Sequence, residues 1–477
     1  MAKILVLCYS QRLFFVLEYV AMKTKNRELD MTHGPLAGKI VRFAVPLALS
    51  SMLQQLFNAA DLAVVGRFTN PQAMAAVGSN ASVISLLISL FIGLSIGANV
   101  VVGNLIGAGR REEISDAVHT VITVALISGV LLTLIGNAAA EPILRLMGAP
   151  DNVMKLAVLY LRIYFCGMPM ITLYNFGSAI LRSRGDSTRP FVAMVLAGIL
   201  NVGLNLVFVI VLHLHVIGVA LATVISNCLS GGLMIFFLMR EENEFRLRLR
   251  RLRIAPVILK KMIHIGLPAG LQGMVFSLSN VVIQSAVNSF GADCIAGMTA
   301  SQNFDFISYC LLNAFAQACV TFTSQNYGAQ NAERCKRVWR ISMGLGVGID
   351  ILFIGMMYLF RGTIIRLFTT EPSVIEYAMI RVQYAFTLHF LCATYEITAG
   401  ALRGMDRSTI PALISIFGTC AARLLYVQVF FPLHRTVEVL ILVYPVTWIL
   451  TCLLMNGAYL FFRKRAFPET GRTAAMA

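Results

Sequence analysis

The stretch VRFAVPLALSSMLQQLFNAADLAVVG, residues 41–66, decides how the rest of the chain is read. It is apolar and long enough to cross a bilayer, for which about 20 residues suffice, yet it contains Pro46 and the carboxylate of Asp61. On a helix, Gln54, Asn58 and Asp61 are spaced by four and then three residues and share one face, while Leu53, Leu56, Phe57 and Val64 spread over the remainder. An acid at mid-membrane costs about 2.5–3.5 kcal/mol on insertion scales, so this stripe is expected to face a cavity, a partner or a transported ion. A packing role would require only that a neighbouring helix hold the carboxylate.

Outward from this stretch the chain keeps the same character. With 58% hydrophobic and 13% charged residues, and a mean hydropathy of +0.77, it is a polytopic membrane protein and not a soluble domain. Apolar segments near 41–65, 73–103, 117–139, 155–181, 190–212, 216–239, 257–288, 294–322, 338–360, 374–402, 410–431 and 437–462 predict about twelve spanning helices. The net charge of +16 does not imply nucleic acid, because the basic residues concentrate in alternate loops. Arg110 and Arg111, Arg182 to Arg189, Arg240 to Lys261, Arg334 to Arg340, Arg403 and Arg407, and Arg463 to Arg465 lie on one side; the opposite loops hold Arg67, Arg145, Lys155, Arg361, Arg366 and Arg435. The positive-inside rule then places both termini in the cytoplasm, with the basic loops setting topology and nothing more, and the expected location is the cytoplasmic membrane. Ten scattered cysteines without a C-x-x-C pair suggest neither disulfides nor a metal site, and His213 and His215 are expected to meet interfacial water.

An internal repeat organises the chain. FAVPLALSSMLQQL (43–56) aligns with IGLPAGLQGMVFSL (265–278), placing Pro46 on Pro268. NLIGAGRRE (104–112) aligns with QNYGAQNAE (325–333), ILRLMGAP (143–150) with IIRLFTTEP (364–372), and LRSRGDSTRP (181–190) with LRGMDRSTIP (402–411), all at an offset of 221 or 222. The expected organisation is an N-terminal extension over 1–33, a six-helix lobe over 34–239, a basic cytoplasmic linker over 240–256, a second six-helix lobe over 257–465 and a cytoplasmic tail over 466–477. Six is even, so the repeat is direct and a cleft is expected between two lobes. The apolar runs at 4–8 and 13–20 are too short to span and are not counted in the bundle; a later start at Met22 or Met31, or an interfacial helix, would account for them. Pro190 and Pro411 fall at tolerated first-turn positions, whereas Pro46 and Pro268 are expected to kink their helices, as are Pro169 and Pro445.

The intramembrane charges read from the sequence are Asp61, Asp305, Asp350, Glu396 and Arg423. Asp61 has candidate partners in Asn201 and Asn205, one turn apart on the fifth span, whose amide oxygens suit a cation or a protonated acid. Arg423 needs a partner in lipid, and Glu396 or Asp305 is expected to supply it, either as a fixed ion pair or with one acid free to take a proton. Asp350 stands among apolar residues as a satisfied or interfacial acid. Ser277, Asn280, Gln284 and Asn288 follow one face of the seventh span, and Gln302, Asp305, Tyr309 and Asn313 one face of the eighth; such faces line cavities or glue helices together. Phe57, Phe276, Phe304 and Phe306 would supply an adaptable apolar wall or plain packing. H-E-x-x-H, a phosphate-binding glycine loop and G-x-S-x-G are absent, which argues against an ATP-driven pump and against an enzyme.

The opening FAVPLALSSMLQQLFNAADLAVVGRF, GNLIGAGRREE after the second span and ALRGMDRSTIP after the tenth resemble the multidrug and toxic compound extrusion (MATE) family over essentially all of 34–465. The resemblance implies an all-α antiporter of twelve transmembrane helices in two direct six-helix repeats. Such a protein exports organic cations or amphiphiles in exchange for H+ or Na+ by alternating access; no cofactor besides the coupling ion is expected, membrane lipid is its further partner, and it is expected to be a monomer. It implies coupling at Asp61, fifteen residues after Pro46, with Asn201 and Asn205 where some members carry an Asn and an Asp; the second acid is missing here. Other members place a glutamate where this sequence has Phe276 and Ser277, and members often carry an acid on the tenth span, where Glu396 lies. Asp305, Glu396 and Arg423 are then second-lobe ion or substrate candidates, with Gln54, Asn58, Asn280, Gln284 and Gln302 lining the cavity. Protonation of Asp61 from outside would alter its bonds to Asn201 and Asn205 and the bend of its helix, releasing substrate. A flippase for a lipid-linked saccharide is the alternative, though it would be expected to line its path with cations, and the spans offer chiefly Arg423.

Overall fold

Long apolar runs fold as helices wherever the chain is described, which in this computed structural model is residues 29–69, 71–146, 151–366 and 369–467. Residues 1–28 of the N-terminal extension and 468–477 of the tail lie outside them. The spans are α1 (Ala37–Phe68), α2 (Pro71–Gly107), α3 (Arg111–Leu146), α4 (151–183), α5 (Thr188–Val211), α6 (His215–Met239), α7 (Pro256–Asn288), α8 (Ala292–Gly328), α9 (Ala332–Leu359), α10 (372–404), α11 (Thr409–Leu433) and α12 (437–466). Ten described helices are long and apolar enough to cross a membrane by themselves, and α4, a pair bent by 47°, makes an eleventh. The twelfth, α10, is broken by the turn Phe386–Leu388 and carries Glu376, Arg381, His389 and Glu396, which dilute its apolar character. Twelve transmembrane helices in two direct six-helix repeats result, as expected.

Proline and polar capping explain several boundaries. In α4 the break falls at Gly167, with Pro169 in the first turn of Met168–Ser183, where its missing N–H costs nothing. The Asp186 carboxylate accepts from the backbone amides of Thr188 and Arg189 at 2.9 and 3.0 Å and so caps α5. Asn331 does the same for α9 through the Arg334 amide, at 3.0 Å. Helices α1 and α7 run on through Pro46 and Pro268. Wide π turns occupy Val207–Val211 at the end of α5 and Ile416–Ala421 and Tyr426–Phe430 in α11.

Contacts group the chain into two compact units. The first contains Leu49–Asn80 and Arg111–Ala255. Within it α3 packs on both arms of α4, the second arm of α4 packs on α6, and α6 packs on α5. The basic segment after α6 is docked in this unit. Leu247 N–H donates to the Leu238 carbonyl at 2.9 Å, Arg248 N–H to Nε2 of His119 at 3.1 Å and Ala255 N–H to the Thr120 hydroxyl at 3.0 Å, while Phe245 and Leu247 are buried. Arg184 and Arg189 each donate to one oxygen of Glu241, and Arg189 Nε donates to Asp186. These two arginines therefore brace the loop between α4 and α5, beyond any part in topology.

The second unit contains Pro35–Ala48, Ala81–Arg110 and everything from Pro256. Its seam is made of glycines. A Cβ on Gly93 would lie 2.1 Å from the Gly270 nitrogen, one on Gly97 2.4 Å from the Met262 carbonyl oxygen, and one on Gly270 2.5 Å from that of Leu90. Gly93/Gly97 and Gly266/Gly270 are thus reciprocal small-x-x-x-small faces that bring the backbones of α2 and α7 together. Around this seam α8 packs on α9 and α10, α10 on α12, and α7 on α11.

Candidate functional site

Asp61 lies one turn beyond Phe57 on α1, and the facing surface of α5 presents Gly198, Asn201 and Asn205 at helical spacing. Because Gly198 has no side chain, the Phe57 ring sits where a Cβ would be, 1.7 Å from a ring carbon. Asp61 is buried at 9% exposure, and Asn201 and Asn205 at 7% and 0%. Asn205 Nδ2 donates to Asp61 Oδ1 and, at 3.3 Å, to Asn201 Oδ1; Asn201 Nδ2 in turn donates to the Thr223 hydroxyl of α6 at 3.4 Å. The phenols of Tyr160 and Tyr164 on α4 are within electrostatic reach.

Among the described residues no Lys, Arg or His pairs with Asp61. Asn205 Oδ1 is buried and has no hydrogen-bond partner. A carboxylate held only by amides and hydroxyls, with a spare amide oxygen beside it, is a set of oxygens able to take a proton or a small hard cation. The polar stripe read on α1 divides here: Asp61 turns into the unit, whereas the side chains of Gln54 and Asn58 are exposed and make no hydrogen bond among the described residues.

In the second unit the expected pairing of Arg423 is overturned. Asp305 Oδ2 accepts from Nε and Nη2 of Arg381, a residue the sequence reading left out. Among the described residues the Glu396 carboxylate makes no hydrogen bond or ion pair, and the cation that influences it electrostatically is Arg403, two turns along α10. Arg423 is instead buried at 2% exposure; its Nη1 donates to Asn280 Oδ1 at 3.1 Å and its Nε to the Thr447 hydroxyl at 3.5 Å. The guanidinium carbon stands 5.2 Å from the Phe276 ring centroid and 5.0 Å from that of Tyr444.

Asp350, read as a satisfied or interfacial acid, is the former: it is buried and held by the Ser308 hydroxyl and by Nδ1 of His389 at 3.0 and 3.1 Å from its two oxygens. The Trp448 ring closes on that histidine with centroids 5.5 Å apart. Gln284 donates to Asn288 at 3.0 Å along α7, and Gln302 is half-buried with no hydrogen bond. Arg381 and His389 lie well inside the apolar segment read at 374–402, about 10 Å or more from its start at 1.5 Å per residue, too deep for an interfacial flank; that depth was the available signal.

An all-α membrane protein with two repeated six-helix halves and buried acids in each is the class these features define. The chain belongs to the MATE family of multidrug efflux transporters: the MatE family model matches it twice, over residues 46–207 and 268–426, once in each half. It is 30% identical over 436 residues to "Probable multidrug resistance protein YoeA" of Bacillus subtilis, covering 89% of this chain and 93% of that one. It is 26% identical over 358 residues to a "FAD transporter" of Shewanella oneidensis, covering 72% and 78% respectively. Among solved structures, a MOP superfamily transporter from Pyrococcus furiosus, described with the words "reverse polarity of binding pocket suggests different function", superposes with a TM-score of 0.83 at 25% identity, covering 91% of this chain and 97% of that one.

Proposed function

We propose that this protein is a cation-coupled antiporter that exports amphipathic organic compounds across the cytoplasmic membrane, with H+ or Na+ loading at Asp61. The observation that carries this reading is the setting of Asp61: a buried carboxylate with amide and hydroxyl partners, no counter-cation, and the unpartnered Oδ1 of Asn205 beside it. A charge left uncompensated in a low-dielectric interior is held at high cost, and taking up a cation removes that cost. Neutralising Asp61 also changes what Asn205 donates to and, through it, Asn201 and Thr223, so occupancy at α1 is passed to α5 and α6. Antiport follows when the inward-open and outward-open arrangements bind the cation unequally. In this reading the protein works as a monomer with both termini in the cytoplasm and needs no cofactor beyond its coupling ion.

The test is efflux of rhodamine 6G from vesicles containing the purified protein, under an imposed proton gradient and then a sodium gradient. Efflux driven by one gradient in the wild type and lost in a well-folded Asp61→Asn variant is the expected result and identifies the ion. Gradient-driven efflux retained by Asp61→Asn would remove Asp61 from coupling. No efflux under either gradient would turn attention to flipping of lipid-linked substrates.

A further inference from the structure

The second unit holds a charge that its own residues do not neutralise. Arg423 is among the largest fully buried side chains, yet no carboxylate lies within ion-pair distance of it among the described residues. The acids nearby are otherwise engaged or apart: Asp305 is taken by two nitrogens of Arg381, Asp350 by His389 and Ser308, and Glu396 makes no ion pair. The neighbouring Arg381, already paired with Asp305, brings no compensating charge; it and Arg423 each stand 5.0 Å from the centroid of the same Tyr444 ring. Two aromatic faces and two neutral acceptors are weak compensation for a guanidinium removed from water.

The donors left over point one way. Nη1 and Nε of Arg423 are committed to Asn280 and Thr447, while Nη2 makes no hydrogen bond. Asn280 spends its carbonyl oxygen on Arg423, so its Nδ2 is left free, and the residue is exposed on α7. The hydrogen-bonded pair Arg423–Asn280 thus keeps one charged and one neutral N–H donor uncommitted, and a planar or tetrahedral oxyanion can accept from donors of this kind. Arg423 itself sits on the short α-helical stretch Ala422–Leu425 between two π turns, Ile416–Ala421 and Tyr426–Phe430. Turns of this kind recur at functional sites because they re-aim side chains.

We propose that Arg423 and Asn280 bind an anionic group, a carboxylate or phosphate, of the compound this transporter carries, so that its substrates include organic anions and zwitterions as well as cations. This assignment rests on the efflux reading and narrows its substrate class. Arg381, Tyr444 and Phe276 act as positioning residues that hold the guanidinium in place.

The test uses two xanthene dyes of opposite charge, 5(6)-carboxyfluorescein and rhodamine 6G, and equilibrium binding by fluorescence anisotropy to the full chain in phosphatidylcholine nanodiscs. Wild type is expected to bind carboxyfluorescein, and Arg423→Gln to weaken it about tenfold to a hundredfold, the worth of a charge-assisted hydrogen bond, with Arg423→Lys in between. Rhodamine 6G binding should not weaken in parallel, since Arg423→Gln removes a like charge from the path of a cationic dye. Asn280→Asp, which supplies the missing carboxylate from within, should abolish carboxyfluorescein binding while raising the melting temperature, and it carries the test where Arg423→Gln does not fold. Replacing half the lipid by phosphatidylglycerol separates the sources of the anion: weaker dye binding in wild type but not in Arg423→Lys assigns the site to a lipid headgroup and keeps the anion chemistry. Carboxyfluorescein affinity unchanged in Arg423→Lys and Asn280→Asp, or no Arg423-dependent binding in either lipid, overturns the proposal. Failure of the efflux reading is separate: it shows as absent gradient-driven transport of rhodamine 6G with Arg423-dependent dye binding intact.

Discussion

Asp61 in the first half and two acids of the second, Asp305 and Asp350, meet opposite surroundings, while Glu396 shares with Asp61 the lack of an ion pair. Asp61 is held by an amide and, among the described residues, no basic side chain fixes its charge state. Asp305 and Asp350 are each met by a basic side chain, Arg381 and His389, so a basic group already compensates the cost of their burial. Arg423 completes the inversion: the second half buries a cation without an acid where the first buries an acid without a cation. Two copies of one ancestral six-helix unit thus carry complementary defects, and a defect of charge in a membrane interior is where a ligand has most to gain.

The largest effect that would break this comparison is on stability. Arg381→Met leaves the half-buried Asp305 unpaired and should cost about 2–3 kcal/mol, less than for a fully buried partner, seen as a fall in thermal stability in detergent, with much of it recovered in the double variant with Asp305→Leu. Asp61→Asn, by contrast, should leave the melting temperature unchanged or higher, because it removes a buried charge and keeps an acceptor for Asn205. Equal destabilisation by the two would show that the halves do not differ as described.

A smaller effect is expected at the α1–α5 contact. Gly198→Val drives a side chain into the Phe57 ring and pushes Asn201 and Asn205 away from Asp61. Overpacking of this kind costs about 1–3 kcal/mol, and gradient-driven efflux should fall more than stability does. Efflux at wild-type level would mean that the hydrogen bond from Asn205 is dispensable.

The smallest effect lies in the paired loops. Asp186 caps α5, whereas in the matching loop of the second half the aspartate, Asp406, stands at the position of Gly185, adopts φ 66° and leaves its buried Oδ1 without a partner among the described residues. Burial pushes the Asp406 carboxyl above its usual range, against the pull of Lys261, His264 and Arg407. A carboxyl raised in the folded state binds more protons folded than unfolded, so stability declines as pH rises from the ordinary aspartate value through the raised one. Asp406→Asn, which tolerates the same backbone, should raise the melting temperature by about one or two degrees at neutral pH and not at all at acid pH. Asp186→Asn should give no such gain.

Much of this was legible in the sequence, and the reasons differ by residue. The twelve helices follow from apolar runs whose length the bilayer fixes, and the repeat from a constant offset. Asp61 with Asn201 and Asn205 was legible because helical spacing puts the two amides on one face and an acid must find polar company. Which cation meets which acid was not, because pairing depends on how α8, α10 and α11 rotate against each other, and packing sets that. Arg381 takes Asp305 from α10 and leaves Arg423 on α11 with Asn280. The docking of 240–255 carried a faint signal in the alternation of Phe245, Leu247 and Leu249 with arginines; two of the three are buried.

The glycine seam between α2 and α7 also bears on how the protein is made. Gly97 leaves the ribosome about 170 residues before Gly266, its counterpart across the seam. At about 5–20 residues per second, the small-residue face of α2 waits roughly 10–30 s in the membrane without its mate. During that interval lipid chains or the insertion machinery must stand in for α7, and mutations that make this face stickier would show first in yield and only then in transport.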